Sequence, residues 1–213
     1  MSSDDWYRRK TWTENDRFEF QTRLKRSRGD FNKAQYLRIQ AYFLATSGLT
    51  SPAIDLLDQL FSSFPHESQL AQARLQYAEC LLSLNRIDDA IDAYRLAFDA
   101  EQAYPNSRTQ LWLDFPWLIV TRGLFHLYPE IDTYLDWGDR ATTFPVDEFR
   151  LHTILSLVAD DSGDTEAASK HARTALAAAA KEHSGFARHP MLGLVGNPEP
   201  SVLERLQGLI DVS

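Results

Sequence analysis

The chain has 213 residues and a formal net charge of -8, with 44% apolar and 24% charged residues. This composition is typical of a globular protein with one continuous core and excludes a disordered chain. No stretch approaches the roughly 18 apolar residues of a membrane span, and residues 1–6 lack the apolar run of a signal peptide. We therefore expect a cytoplasmic protein with no membrane partner.

The charge is unevenly distributed along the chain. Residues 1–33 contain nine Lys/Arg and six Asp/Glu, so the remainder carries a net charge of -11. Nucleic-acid binders gather positive charge, so an acidic body favours a protein or peptide partner of basic character and no nucleic acid. The single cysteine, Cys80, lies in an apolar stretch, where a buried and unreactive thiol is expected.

The N-terminal segment predicts a helix over residues 13–28 that covers one end of the fold. Thr13 is a good N-cap, acidic residues follow it, basic residues fill the last turn, and Gly29 ends the helix. The expected apolar contacts come from Phe18, Leu24, one of Phe20 and Phe31, Trp6 and Trp12. Cations interleaved with aromatics also suit single-stranded nucleic acid, but a structural cap is favoured.

A spacing pattern recurs three times in the chain. A turn residue is followed five positions later by a small residue, and then by residues four and seven positions beyond it. The three series are Gly48, Ala53, Leu57, Leu60; Asn85, Ala90, Tyr94, Ala97; and Gly163, Ala168, Ala172, Ala175. Helical spacing that restarts with a period in the thirties predicts stacked helical hairpins.

The pattern divides one single domain into units. The predicted hairpins span residues 34–67, 71–104, 108–145 and 149–182, between an N-terminal cap at 1–33 and a loop and helix at 183–213. The third unit is divergent: a bulky first helix is expected to run from Trp112 to Leu127, with Pro116 near its start, and a second from Pro129 to Ala141. A closing helix is predicted over residues 199–210 from its apolar period.

Ala41, Ala53 and Pro65, and then Ala78, Ala90, Tyr94 and Ala97, resemble the tetratricopeptide repeat family. The resemblance implies an all-α fold, a right-handed superhelical stack of about four helical hairpins, and a role in binding proteins. A second likeness, to a bacterial group of tetratricopeptide-type proteins of unassigned function, is carried by residues 6–12, 34–41, 144–147 and 183–190. It implies a bacterial cytoplasmic protein.

The family binds its ligands along a concave groove formed by the first helices of successive hairpins. The matching positions in this chain are Gln35, Arg38, Tyr42, Gln72, Leu75, Glu79, Leu82, Ile119, His126, Arg150 and Thr153. The family's carboxylate clamp for chaperone tails needs an asparagine where this chain has Tyr42, so that ligand is not expected.

Two segments could carry chemistry, and a structural role is expected for both. His183, Ser184, Arg188 and His189 match no zinc spacing and no serine-hydrolase motif, so a closing loop is favoured. Asp160, Asp161 and Asp164 break the spacing of a calcium loop, so an inter-helix turn capped by Asp164 is expected. We therefore predict no catalytic, metal or cofactor site.

The leading functional prediction is a non-enzymatic module that binds a protein or peptide in its concave groove. An alternative within the binding class is an immunity protein, antitoxin-like, whose acidic body covers a basic bacterial toxin. A third hypothesis, from another class, is a hydrolase that uses the His183 to His189 segment.

Overall fold

The structure, a computed structural model, describes residues 5–139 and 142–211. In that part of the chain it contains ten α-helices and no strand, which confirms the predicted all-α class. The chain forms two compact units, one up to Leu111 and one from Trp112. The helices are α1 (Glu14–Arg26), α2 (Asp30–Thr46), α3 (Thr50–Ser63), α4 (Glu67–Ser83), α5 (Ile87–Ala103), α6 (Leu111–Thr121), α7 (Ile131–Trp137), α8 (Pro145–Asp161), α9 (Thr165–Ala179) and α10 (Pro200–Asp211).

Helix α1 begins as its sequence predicts. Thr13 is the N-cap, and its side chain and that of Asp16 bond each other's backbone N–H groups in a capping box. The helix ends earlier than predicted, at Arg26, because the backbone of Ser27 is already extended. Gly29 is the N-cap of α2 and has a φ of 77°. Phe20 and Leu24 are buried, whereas Phe18 is 71% exposed, so Phe18 is not part of the predicted apolar face.

The first unit contains two helical hairpins, α2 with α3 and α4 with α5, and α4 also contacts both α2 and α3. Each hairpin turns at a residue with positive φ, Gly48 in the first and Asn85 in the second. Gly48 adopts φ 79° without steric cost because it lacks a Cβ. The small residues that the repeat predicted on both helices are almost completely buried: Ala41, Ala53, Ala78, Ala90 and Ala97.

The N-terminal residues pack onto this unit. The Trp6 ring lies 4.8 Å from that of Tyr36, and the rings of Trp6 and Trp12 both contact Phe20. Helix α1 is joined to α3 by paired amides, since Gln21 and Gln59 each donate to the other. The predicted apolar contacts of Trp6 and Trp12 with α1 are therefore confirmed.

The start of the second unit differs from its prediction. Helix α6 ends at Thr121, and Phe125 and Leu127 lie in a separate 3-10 helix, Phe125–Glu130. The chain leaves α6 at Gly123, which has a φ of 62°, and Pro116 lies inside the helix and not near its start. Helix α7 has only seven residues, and the predicted helix end at Ala141 lies outside the described residues.

The rest of the second unit follows the sequence pattern more closely. Helices α8 and α9 form a hairpin that turns at Gly163, and α10 contacts both of them. Ala168, Ala172 and Ala175 are buried along α9. Helix α10 begins at Pro200, one residue from the predicted boundary, and buries Val202 and Leu206.

None of the helices in the described ranges combines the length and apolar character needed to cross a lipid bilayer.

Candidate functional site

A cavity of about 350 Å³ opens in the first unit between the C-terminal halves of α2 and α4 and the start of α3. This volume is within the range of small-ligand pockets. Two of the predicted groove residues, Tyr42 on α2 and Glu79 on α4, line the cavity. Tyr42 is 48% exposed, and its ring packs edge-on against Phe43. The cavity can therefore be reached from solvent along the Tyr42 side.

The inner walls of the cavity are mostly apolar. Ala41, Ala45, Leu57 and Cys80 contribute to them. Cys80 is 4% exposed, and burial raises the pKa of its thiol to about 11, with Glu79 acting in the same direction. At neutral pH the side chain is a protonated thiol, which behaves as a small apolar group. The predicted burial of Cys80 is confirmed.

One wall carries an unusual polar group. Gln76 lines the cavity and is only 7% exposed. Its Oε1 is shielded from solvent and accepts no hydrogen bond from any residue that the structure describes. Because a buried acceptor without a partner costs about 1–3 kcal/mol, such groups point to strain or to a missing partner.

The polar groups at the mouth of the cavity are already hydrogen-bonded. The Thr46 hydroxyl donates to the Tyr42 carbonyl at 2.9 Å, and the Ser83 hydroxyl donates to the Cys80 carbonyl at 2.7 Å. The Thr50 and Ser83 hydroxyls lie 3.4 Å apart across the opening. These side chains therefore shape the mouth of the cavity, whose lining also contains the exposed Glu79.

Arg38 lies on the same pair of helices but is held by the protein itself. Its Nε donates to Gln69 Oε1 at 2.8 Å, which joins α2 to α4, and Gln69 is 8% exposed. Burial lowers the pKa of the Arg38 guanidinium, although the group stays charged. Arg38 is thus a link between helices, and only its remaining N–H groups could contact a ligand.

The other predicted groove residues divide by burial. Leu75, Ile119 and Thr153 are buried, so they cannot contact a partner as they stand. Arg150 forms an ion pair with Asp114 at 2.7 Å and lies over the Trp117 ring. His126 is exposed on the 3-10 helix. Gln35, Gln72 and Leu82 are half-buried on α2 and α4.

Sequence reasoning missed several residues of the cavity, although a signal for them existed. Thr46 and Ser83 lie one helical turn after Tyr42 and Glu79, so they share a face with the predicted positions. Gln76 likewise lies three positions before Glu79. Extending each predicted position by a turn would have found all three.

A histidine pair lies in the second unit between α8 and α9. The Nδ1 atoms of His152 and His171 are 2.8 Å apart, and their rings are stacked. Burial lowers the pKa of both imidazoles. The charges of His152 and Lys170 lower the pKa of His171 further. The charge of Glu148 raises the pKa of His152 and so partly offsets its burial. This contact needs at least one neutral ring, because only a neutral imidazole offers an acceptor nitrogen.

The His183 to His189 segment forms a loop closed by Ser184. The Ser184 hydroxyl donates to the His189 carbonyl at 2.8 Å and accepts the Phe186 N–H at 3.2 Å. Its backbone N–H bonds the Pro190 carbonyl. Ser184 therefore stabilises the loop, while His183 and His189 are exposed.

Two of the remaining candidates, Arg9 and Asp164, have structural partners. Arg9, in the aromatic N-terminal stretch, forms ion pairs with Asp16 and Glu19 of α1. Asp164 accepts the Ala167 N–H at 3.0 Å and caps α9, as predicted.

Within residues 5–139 and 142–211, no group of three or more His, Cys, Asp or Glu side chains is placed to hold a metal ion. Comparison with known protein families, with curated proteins and with solved structures finds no match to this chain.

Proposed function

We propose that the protein is an interaction module that binds a protein or peptide segment in the cleft between α2 and α4. The observation that carries this proposal is the cavity at that place, with two predicted groove residues, Tyr42 and Glu79, in its lining. The exposed Tyr42 ring resembles the aromatic side chains that are enriched in interfaces.

We further propose that α2 to α5 are two tetratricopeptide-like repeats and that the fold continues as a right-handed superhelical stack. The support comes from equivalent positions in the two hairpins. Ala41 and Ala78, and likewise Ala53 and Ala90, are 37 positions apart, and all four are buried. Small buried residues at matching positions let the paired helices approach in the same way in both hairpins.

The net negative charge of the chain beyond residue 33 supports a basic partner. The chain beyond residue 33 carries -11, and Glu79 places a carboxylate on the cleft. Charge complementarity of this kind raises the rate of association more than the affinity. Association with the partner should therefore slow as salt is added.

The test is site-specific photo-crosslinking in the native host. A photoreactive phenylalanine analogue replaces Tyr42 in one variant and Leu96 in the control; Leu96 is 46% exposed on α5 and does not line the cavity. We expect one protein to be crosslinked from position 42 and not from position 96.

Purified partner would then be titrated against wild type, Tyr42→Ser and Leu96→Ser. The Tyr42 variant should bind at least tenfold more weakly, while the Leu96 variant should match wild type. Equal crosslinking from both positions, or an unchanged affinity of Tyr42→Ser, would refute the cleft as the binding site.

A further inference from the structure

We propose that the cleft between α2 and α4 holds a lysine side chain of the bound partner, with the ammonium group at the mouth of the cavity beside Glu79. This inference rests on the proposed function, since it names the partner residue that the cleft would hold. Two features of one place carry it: hydroxyl groups at the mouth whose protons are already used within the protein, and a carboxylate beside them.

The hydroxyl groups at the mouth are left with acceptor sites only. A hydroxyl has a single proton. The Thr46 hydroxyl donates it to the backbone carbonyl four residues earlier at 2.9 Å, and the Ser83 hydroxyl donates to the carbonyl three residues earlier at 2.7 Å. Because the Ser83 proton is used in this way, Thr50 is the donor in any bond between their two oxygens, which lie 3.4 Å apart. The mouth therefore presents oxygen lone pairs to a ligand.

Glu79 adds negative charge to this set of acceptors. Its side chain is exposed on α4 and lines the cavity one helical turn before Ser83. A carboxylate has about four lone-pair sites, so Glu79 can accept a ligand N–H in addition to a bond within the protein. A cation that donates hydrogen bonds is complementary to such a mouth. A carboxylate or a phosphate is not, because it brings further acceptors and like charge.

Among natural side chains, lysine matches these acceptors best. Its ammonium is a compact charge with three donors and no acceptor. The hydroxyls come from three helices, with Thr46 on α2, Thr50 on α3 and Ser83 on α4, which suits donors that diverge from one atom. The guanidinium of arginine holds its donors in one plane. That plane matches the two oxygens of one carboxylate and leaves hydroxyls on the other helices without a donor.

The lining beside the mouth suits the rest of a lysine side chain. Ala45 and Cys80 contribute apolar surface, and the Cys80 thiol is protonated at neutral pH because burial raises its pKa. Lysine buries its aliphatic stem along apolar surface while its charged end stays near water. The Tyr42 ring, which lines the same cavity and is exposed, can also attract an ammonium over its face.

Small ligands test the chemistry of the bound group. N-acetyl-lysine methylamide, its ε-acetyl and ε-trimethyl derivatives and the corresponding arginine compound would be titrated into the full chain and followed by ¹H–¹⁵N NMR. The acetyl compound has lost the charge, and the trimethyl compound keeps the charge but has no N–H donor. We expect each of them to bind about tenfold more weakly than the lysine compound, the loss of a charged hydrogen bond. Arginine should also bind more weakly than lysine.

Three results of this titration would overturn the proposal. Equal affinity for lysine and trimethyl-lysine would show that the acceptors at the mouth are not used. Arginine that binds as tightly as lysine would remove the choice between the two cations. A site of millimolar affinity is nearly saturated at about 50 mM ligand, so unshifted amides at residues 42–50 and 79–83 at that concentration would exclude lysine from the cleft.

A pair of charge variants assigns the carboxylate. Glu79→Gln removes the charge at the mouth, and Glu67→Gln removes an equal charge about 18 Å away at the start of the same helix. Glu79→Gln should weaken binding of the lysine compound about tenfold. Glu67→Gln should change it less than about twofold, because salt screens charges at that distance. Both side chains are exposed, so neither variant disturbs the core. Equal effects would mean that only the net charge matters.

A pair of serine variants assigns the hydroxyl. Ser83 and Ser62 are both exposed, and each donates to a carbonyl in the last turn of its own helix. Of the two, Ser83 lines the cavity and Ser62 does not. Ser83→Ala should weaken binding of the lysine compound about fivefold, the loss of one acceptor, and Ser62→Ala should leave it unchanged. A lysine compound that binds both variants equally well lies elsewhere on the surface.

The partner captured from position 42 separates this inference from the proposed function. Each lysine of the crosslinked segment would be changed singly to arginine, which keeps the charge, and one of these changes should weaken binding about fivefold. If none does, the lysine anchor is refuted while the proposed function stands. If crosslinking fails while the preference for the lysine compound holds, the proposed function is refuted and the cavity is a site for a free primary amine.

Discussion

Gln40 holds the N-terminal segment on α2 by bonding both backbone groups of Arg9. Its Oε1 accepts the Arg9 N–H at 3.0 Å, and its Nε2 donates to the Arg9 carbonyl at 2.8 Å. The side chain is completely buried. A primary amide can supply one acceptor and one donor in this way. The Gln40 side chain therefore pairs with both the N–H and the carbonyl of Arg9, as the backbone of a neighbouring strand does in a β-sheet.

Replacing this amide should destabilise the first unit. In Gln40→Leu the Arg9 N–H and carbonyl lose their partners, and we expect the free energy of unfolding to fall by about 2 kcal/mol. Urea denaturation followed by circular dichroism measures the loss. Gln35→Leu, on the same helix, leaves both bonds intact and serves as control. A Gln40→Leu protein as stable as that control would show that the two bonds contribute nothing net.

Much of the first unit follows from local sequence. Three features of this unit are local: the turn residues, the small residues five positions after them, and the Thr13 capping box. Each acts within one or two helical turns, so each can be predicted from the neighbouring sequence. In the third unit the predicted end of the first helix and the place of Pro116 were wrong, because the packing here is long-range: Trp112 fills the space above Gly138, and Pro116 is accommodated inside α6.

The candidate site was predictable only in part. Its helices and the positions of Tyr42 and Glu79 follow from the repeat, but a cavity is the space that two helices leave between them. Neither the gap nor the unpaired oxygen of Gln76 has a signature in the sequence. Burial of Leu75, Ile119 and Thr153 likewise depends on neighbours that are distant along the chain.

Gly138 tests the packing of the second unit. A Cβ built at this position would lie 2.3 Å from the Trp112 ring, which is far inside van der Waals contact. We expect Gly138→Ala to lower the free energy of unfolding by about 2–3 kcal/mol, because a well-packed core tolerates overpacking poorly. Thermal unfolding with near-ultraviolet circular dichroism reports both stability and the Trp112 environment.

The matched control for Gly138 should change stability in the opposite direction. Gly208 is exposed inside α10, and an added Cβ there meets nothing within 4 Å. Gly208→Ala should therefore stabilise by about 0.5–1 kcal/mol, since alanine loses less backbone entropy in a helix. The packing argument fails if both alanine variants shift the melting temperature in the same direction.

Cys80 should react slowly in the folded protein. Its pKa is raised from 9.0 to about 11 by burial, which reduces the thiolate fraction at neutral pH about 100-fold, and the thiolate is the nucleophile. Labelling by iodoacetamide at pH 7.5 should accordingly be at least 100-fold slower in buffer than in 8 M urea. Comparable rates would mean that the wall of the cavity opens readily.

The stacked histidines predict that stability declines in mild acid. Because burial lowers the pKa of His152 and His171, the unfolded chain binds protons first as the pH falls below about 6.5. The unfolded state therefore gains protons over the folded state, and the free energy of unfolding decreases until the folded pKa values are passed. Below that range both rings would be cationic with their Nδ1 atoms only 2.8 Å apart.

Urea denaturation at pH 7.5, 6.5, 5.5 and 5.0 measures this dependence, and the comparison between variants isolates it from the carboxylates. His171→Asn removes one titrating ring and the repulsion between the pair, so its stability should fall less between pH 7.5 and 5.0 than that of wild type. His126→Asn removes an exposed histidine from the 3-10 helix and should follow the wild-type profile. If His171→Asn and wild type lose the same stability over this range, protonation of the pair does not govern the decline, and other groups must bind the protons.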